Sequence, residues 1–232
     1  MRETNPFVFI QETKLQVVDD FVYCSLWGFE SYGFSYCPSM REAGGILTLW
    51  NSSEVNLHVS MSFENVLIIK GRFIKSVVDF AIANVYVPYD NGGREHLWER
   101  LTDLIQTDVR RAWCVSGDFN AIRLESESKS RVIGGNSEDF SAFNNFIDNV
   151  VLVDLSLCGR NFTWYRGDGL SMSRLNHFLL SKEWISSWPN CFQVALPRSV
   201  YDHCPILLTV DEANWGPRPN RMLKCWSDLP SY

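Results

Sequence analysis

The sequence predicts an α/β fold in which two mainly antiparallel sheets pack face to face with a few helices outside. Three observations predict it. Apolar strand-like runs outnumber helical patterns, and the helical patterns fall between groups of strands rather than after each one. The chain of 232 residues is also rich in aromatics, with Trp 9, Tyr 8 and Phe 15, side chains that suit a pleated, half-buried surface.

The elements follow in order. Phe7-Val8-Phe9-Ile10 reads as a buried strand that runs into Gln11-Glu12-Thr13. Gly44-Gly45 leads into a second strand, Ile46 to Trp50, and Val66 to Ile74 reads as a strand or hairpin. From Val77 to Val87 the chain alternates: Val78, Phe80, Ile82 and Asn84 share one face, and Val77, Asp79, Ala81, Ala83, Val85 and Val87 the other. Pro88 stops this strand, and Tyr89-Asp90-Asn91-Gly92-Gly93 reads as a loop. Leu97, Leu101, Leu104, Ile105 and Val109 then recur at helical steps. Ala112 to Val115 is a short apolar strand ending at Ser116-Gly117-Asp118. Leu124 to Gly135 is polar and reads as a surface loop. Phe140, Phe143, Phe146, Ile147 and Val150 mark one face of another helix. Short strands follow near Asn161–Trp164, Leu175–Leu180, Phe192–Leu196 and Ile206–Val210, with a short helix from Lys182 to Trp188. Residues 1–210 therefore read as one domain, and 211–232, with Pro217, Pro219 and Pro230, as a linker or tail.

Composition excludes several classes. Hydrophobic residues at 46% and charged residues at 21% are close to the globular average, which argues against disorder and coiled coil. The net charge of −6 rules out a globally basic surface but not a local one. Seven widely spaced cysteines without a C-x-x-C pair argue against a disulfide scaffold or zinc ribbon and for an intracellular protein. No apolar run reaches bilayer length, and the polar opening does not resemble a secretion signal.

No P-loop, dinucleotide fingerprint, zincin helix or nucleophile elbow is present. What remains is a set of polar residues at the ends of apolar strands. Glu12 follows the first strand, Tyr86 ends the long one, Asp118 and Asn120 follow Trp113-Cys114-Val115, and Asp202-His203 precedes Pro205-Ile206-Leu207-Leu208. Taken singly, each has an ordinary explanation, such as a strand cap, a turn pair or a structural histidine. Together, carboxylates with a histidine at strand ends suit metal-assisted hydrolysis. Magnesium needs only one or two of them because it keeps several waters.

In order, Gln11-Glu12-Thr13, Asn84-Val85-Tyr86-Val87-Pro88, Ser116-Gly117-Asp118-Phe119-Asn120, Thr163-Trp164, Ser173-Arg174-Leu175-Asn176 and Asp202-His203 resemble the successive motifs of the endonuclease/exonuclease/phosphatase superfamily. They most resemble the apurinic-type endonuclease domain of plant non-LTR (LINE-type) retrotransposons, and Arg221 to Trp226 resembles the segment joining that domain to reverse transcriptase. The resemblance implies a four-layered α/β sandwich and a Mg²⁺ (or Mn²⁺) cofactor. It also implies nucleic acid, DNA first, as substrate and a nuclear monomer with no membrane association. In a longer polyprotein, a reverse transcriptase domain would be its partner. Glu12 would bind the metal with Asp202 beside it. Asp118 would act on the attacking water, and Asn120 would place that water or the phosphate. Tyr86 and His203 would contact the scissile phosphate. Thr163, Trp164 and Arg174 would lie on the nucleic-acid surface.

Two departures from the family pattern predict weak or absent activity. The family has a strand ending in an active-site Asn ahead of Gln-Glu-Thr, for which this sequence has no counterpart. Asn176 stands where an Asp normally orients the catalytic His. An amide can accept from imidazole but carries no charge; in the serine-protease example, an Asp-to-Asn change at the corresponding role costs about 10⁴ in turnover. A non-catalytic nucleic-acid-binding remnant of the same fold, and a phosphomonoesterase, are the competing readings.

Overall fold

The computed structural model describes residues 6–27, 32–40, 44–129, 137–167, 169–199 and 201–211. The chain runs β1 (Phe7–Gln11), α1 (Asp20–Trp27), β2 (Tyr32–Cys37), β3 (Ile46–Asn51), β4 (Val55–Phe63), β5 (Val66–Phe73), β6 (Asp79–Tyr86) and α2 (Asn91–Thr107). Then come β7 (Ala112–Asp118), β8 (Ser128–Lys129), α3 (Ser137–Asn149), β9 (Val153–Asp154), β10 (Leu157–Cys158), β11 (Trp164–Tyr165) and β12 (Met172–Ser173). It finishes with β13 (Asn176–Leu180), α4 (Lys182–Ser187), β14 (Cys191–Ala195) and β15 (Ile206–Val210).

One sheet has six strands in the order β4-β5-β6-β7-β13-β9. All its neighbours are antiparallel except β6 and β7. The alternation of β6 decides what covers each face. Ala81, Ala83 and Val85, with Trp113 and Val115 of β7, pack against Leu97, Leu101 and Ile105 of α2 and Phe143, Phe146 and Ile147 of α3. Phe80 and Ile82, with Cys114 and Leu180, face Phe7 and Phe9 of β1, Trp50 of β3 and Ile206 and Leu208 of β15. Full burial of side chains such as Phe80 and Ile82, 0% and 1% exposed, contributes about 1.5–3 kcal/mol each relative to exposure.

The second layer is divided. β1-β3-β2 forms one three-stranded sheet and β10-β14-β15 another. Val18 and Val22 pack on the outer side of the first, against Leu47 and Leu49. The layers are thus α2 and α3, the six-stranded sheet, the divided sheet, and α1: a four-layered α/β sandwich, as the sequence predicts. β1 lies against β6 and β7, while β15 lies against β13. Among the described residues no strand joins the free edge of β1 to that of β15.

Two local expectations differ. The helix predicted through Val109 stops at Thr107, where the Asp108 N–H donates to Ile105 O, and Val109 is exposed. Trp113 Nε1 donates to Asp108 O at 3.0 Å, fixing the turn that starts β7. Gly117 is held at φ 148°, and a Cβ there would lie 1.9 Å from Val85 O, so the close parallel approach of β6 and β7 requires glycine at that point. Ser128–Lys129, within the expected polar loop, forms a short strand; the rest of that loop from 130, and the predicted tail from 212, lie outside the described residues. No described helix is long and apolar enough to cross a membrane.

Candidate active site

Strand register assembles one side of the cleft. Tyr86 pairs with Asp118 across β6 and β7, and Asp118 pairs with Asn176 across β7 and β13. Three strand ends therefore present Tyr86, Asp118 and Asn176 in one row. Asn120 follows two residues on with φ 46°, and Glu12 follows β1 with φ 52°. A non-glycine residue in this region costs about 1–3 kcal/mol and clusters at functional sites. Here the turns aim both side chains into the cleft.

The contacts between these residues close the site. The Tyr86 hydroxyl donates to Glu12 Oε1. Gln11 Nε2 donates to Asn84 Oδ1 at 2.6 Å, and Asn84 Nδ2 donates to Leu47 O and Thr48 Oγ1 at 3.1 Å each. That chain of amides fixes β1 relative to β6. The Asn120 N–H donates to Asp118 Oδ1 at 3.1 Å, and Asn120 Nδ2 donates to Val87 O at 2.8 Å. Arg94 braces the same turn by donating to Pro88 O and Asn120 O. His203 Nδ1 lies 2.8 Å from Asn176 Oδ1, and its Nε2 lies 3.7 Å from Asp118 Oδ2. An amide oxygen only accepts, so Nδ1 carries the hydrogen and Nε2 is the nitrogen turned to Asp118.

Electrostatics agree with this convergence. Burial pushes the Asp118 carboxyl up; His203 and the Asn120 amide oppose it, and Glu12 adds to it. Burial also pushes up the Tyr86 phenol, helped by Glu12 and Asp118. Tyr89, expected only as a loop residue, also feels the charges of the site. Burial raises its phenol first, and the carboxylates of Asp118, Glu12 and Asp202 add to the effect. Three carboxylates thus act on one pair of phenols. No signal in the sequence marked Tyr89 beyond its place three residues after Tyr86.

Thr163 and Arg174, expected on the nucleic-acid surface, are buried instead, 0% and 7% exposed. Thr163 Oγ1 accepts from the N–H groups of Leu175 and Asn176 at 2.9 and 3.0 Å, which sets the start of β13. Arg174 donates to Glu127 Oε1 and Asp154 Oδ1, both at 2.7 Å. His177 Nδ1 at 3.2 Å and Arg123 Nη1 at 3.7 Å also face Asp154 Oδ2. Burial works against the Asp154 charge, but His177, Arg174 and Arg123 outweigh it and hold the carboxyl low. No local motif marks this ion network, because its members are scattered along the chain. Trp164 is half-buried; its Nε1 donates to Asp202 Oδ2 at 3.1 Å, and its backbone bridges His203.

The donor set fits a hard divalent cation. Glu12, Asp118 and Asp202 offer carboxylate oxygens, and Asn120 Oδ1 is a buried acceptor with no donor partner. Among the described residues no three His, Cys, Asp or Glu side chains form a ready-made metal cage. That is compatible with an ion such as Mg²⁺, which retains several waters and takes one or two carboxylates.

No protein-family model matches the sequence, and no curated protein does. Solved structures match over most of its length. The AP endonuclease LMAP from Leishmania major superposes with a TM-score of 0.63 at 16% identity, over 87% of this chain and 77% of that one. The endonuclease domain of TRAS1, a telomere-specific non-LTR retrotransposon, gives 0.64 at 13% identity, over 89% and 86%. The endonuclease/exonuclease/phosphatase protein from Bacteroides vulgatus gives 0.63 at 14%, over 89% and 85%. At such identities the likeness is one of architecture, and this chain has the layered α/β fold of the endonuclease/exonuclease/phosphatase proteins.

Proposed function

We propose that the chain is a divalent-metal-dependent, endonuclease-type phosphodiesterase domain acting on DNA, of retrotransposon origin, with weak native activity. The observation that carries this reading is the single cleft formed by Glu12, Tyr86, Asp118, Asn120, Asn176 and His203, with an unpartnered amide oxygen inside it. Glu12, with Asp202 beside it, would hold Mg²⁺. When bound, that ion supplies charge neutralisation at the phosphate and the leaving oxygen.

The protein's own groups divide the remaining work. Asn120 Oδ1 accepts from a water and points it at the phosphorus, while its Nδ2 is fixed on Val87 O. Asp118 takes the proton from that water, a task suited to a carboxylate whose proton affinity burial has raised. The Tyr86 hydroxyl donates to a phosphate oxygen in exchange for Glu12. As an imidazolium, His203 would donate Nε2–H to the phosphate, with Nδ1–H anchored on Asn176. An amide supplies no negative charge to an imidazolium, so this last interaction is weaker than with a carboxylate at 176.

The test is plasmid nicking with and without EDTA on three proteins: this chain, Asn176→Asp, and Asn176→Asp with a family-type strand ending in Asn added before β1. Nicking should rise along the series and vanish with chelator. A native chain as fast as the doubly changed one would show that neither departure limits catalysis. If all three fold and none nicks, the domain is a nucleic-acid-binding remnant, the reading that Asn176 favours. As a nuclease it would act as a nuclear monomer, beside a reverse transcriptase domain where one is joined to it.

A further inference from the structure

We propose that Arg160 and Arg198 form a phosphate rail that extends the cleft on its His203 side and holds the backbone of a DNA duplex. This rests on the nucleic-acid reading above.

The two guanidiniums come from separate loops, one before Thr163 and one after β14, and both residues are exposed. Backbone hydrogen bonds join these loops. Cys204 N donates to Thr163 O, and Tyr165 N donates to Asp202 O. Cys158 pairs with Val194 across β10 and β14, and a Cβ on Gly159 would lie 3.1 Å from Ala195 O. Arg160 therefore leaves β10 beside the segment that carries Arg198.

The side-chain setting suits anion contact. Arg198 stands over the Tyr165 ring, 5.2 Å from its centroid. Phe162 meets that ring edge-on at 6.5 Å, and the Tyr165 hydroxyl donates to Phe162 O at 3.3 Å. A guanidinium stacked on a fixed ring keeps its N–H edge open for planar contact with a phosphate. Arg72, Arg111, Arg123 and Arg174 are engaged by carboxylates. Among the described residues no carboxylate pairs with Arg160 or Arg198. Between 157–169 and 196–205 the sequence holds three arginines, Arg160, Arg166 and Arg198, and two acids, Asp168 and Asp202. A positive margin beside the cleft of a chain with net charge −6 would orient a polyanion toward that edge.

The experiment measures binding without cleavage. A fluorescent DNA duplex in EDTA buffer is titrated by anisotropy across a salt series with the native chain, Arg160→Ala, Arg198→Ala, the double variant and Arg110→Ala. Arg110 is an exposed cation just before β7, at the end of that strand away from Asp118, and serves as the charge-matched control. Each rail substitution should reduce the salt slope by about 0.9 and weaken binding about eightfold at 0.1 M salt. The double variant should lose about twice that slope, with native melting temperatures throughout and no change in slope for Arg110→Ala. Duplex binding with a native slope in the double variant would overturn the rail and leave the nucleic-acid reading standing. Binding of single strands alone would overturn the duplex assignment. A native chain that binds no DNA even at low salt would overturn both.

Discussion

The two sides of the cleft are built differently. Asp118, Asn120 and Asn176 leave or follow adjacent strands of the continuous six-stranded sheet, and each is less than a tenth exposed. Glu12 and the Asp202–His203 pair adjoin strands at the free edges of two separate three-stranded sheets, with Glu12 and Asp202 exposed. The first side is positioned by backbone register, which tolerates little movement. The second is held by short backbone contacts of Asp202 and Cys204 with the Thr163–Tyr165 segment and by a few side-chain hydrogen bonds: Gln11 to Asn84, Tyr86 to Glu12, Trp164 to Asp202, and His203 with Asn176. If this division is right, damage to the buried side should act on stability, and damage to the edge side on the site alone.

The largest effect should come from Arg174→Ala. It removes the cation paired with Glu127 and leaves Asp154 only His177 and Arg123, and breaking such a buried pair costs about 3–5 kcal/mol. Urea denaturation measures it, and a loss near zero would mean that the network does not support the sheet. Gly117→Ala should follow, at about 1–3 kcal/mol from overpacking against Val85, with added strain from the backbone at φ 148°. A melt at the native temperature would show that β6 and β7 can separate without penalty.

On the edge side, Trp164→Phe keeps the ring and removes only the N–H that holds Asp202. It should cost no more than about 1 kcal/mol, yet lower Mg²⁺ affinity measured by calorimetry. Unchanged affinity together with a large stability loss would invert the comparison.

The smallest stability change, and one of opposite sign, is expected for Asp118→Asn. Burial holds the native carboxyl above its ordinary value of 3.8. The unfolded chain therefore releases that proton at lower pH than the native one, and native stability falls as pH rises from 3.8 through the folded value. The Asn variant escapes this loss. It should melt above the native protein at pH 7, and its advantage should fade as pH falls toward 3.8. A variant less stable at pH 7 would mean that the attraction of His203 outweighs the burial cost.

Strong patterning was legible in the sequence. β6 reads as a nearly continuous apolar run because both of its faces are buried between layers, and the apolar stripe of α2 faces that same sheet. The weaker elements were not legible. β4 is an edge strand with mostly exposed positions, so little burial shaped its pattern. α1, Asp-Phe-Val-Tyr-Cys-Ser-Leu-Trp, is apolar around most of its circumference and shows no helical period. β2 exists only through pairing with β3, which no local signal announces.

By itself the sequence determined which polar residues stand at strand ends and in what order, since apolar runs, Gly117 and Pro88 mark those ends locally. Only the tertiary structure decided which of them face the cleft and which lie beneath it. Arg174 shows the reason. In sequence it is a cation within a motif that suggests a binding surface. In the fold it meets Glu127 and Asp154, 47 and 20 residues away. A charge is free to meet a ligand, or spent inside the protein, according to counter-charges brought near by chain folding, and separation along the chain does not encode that distance.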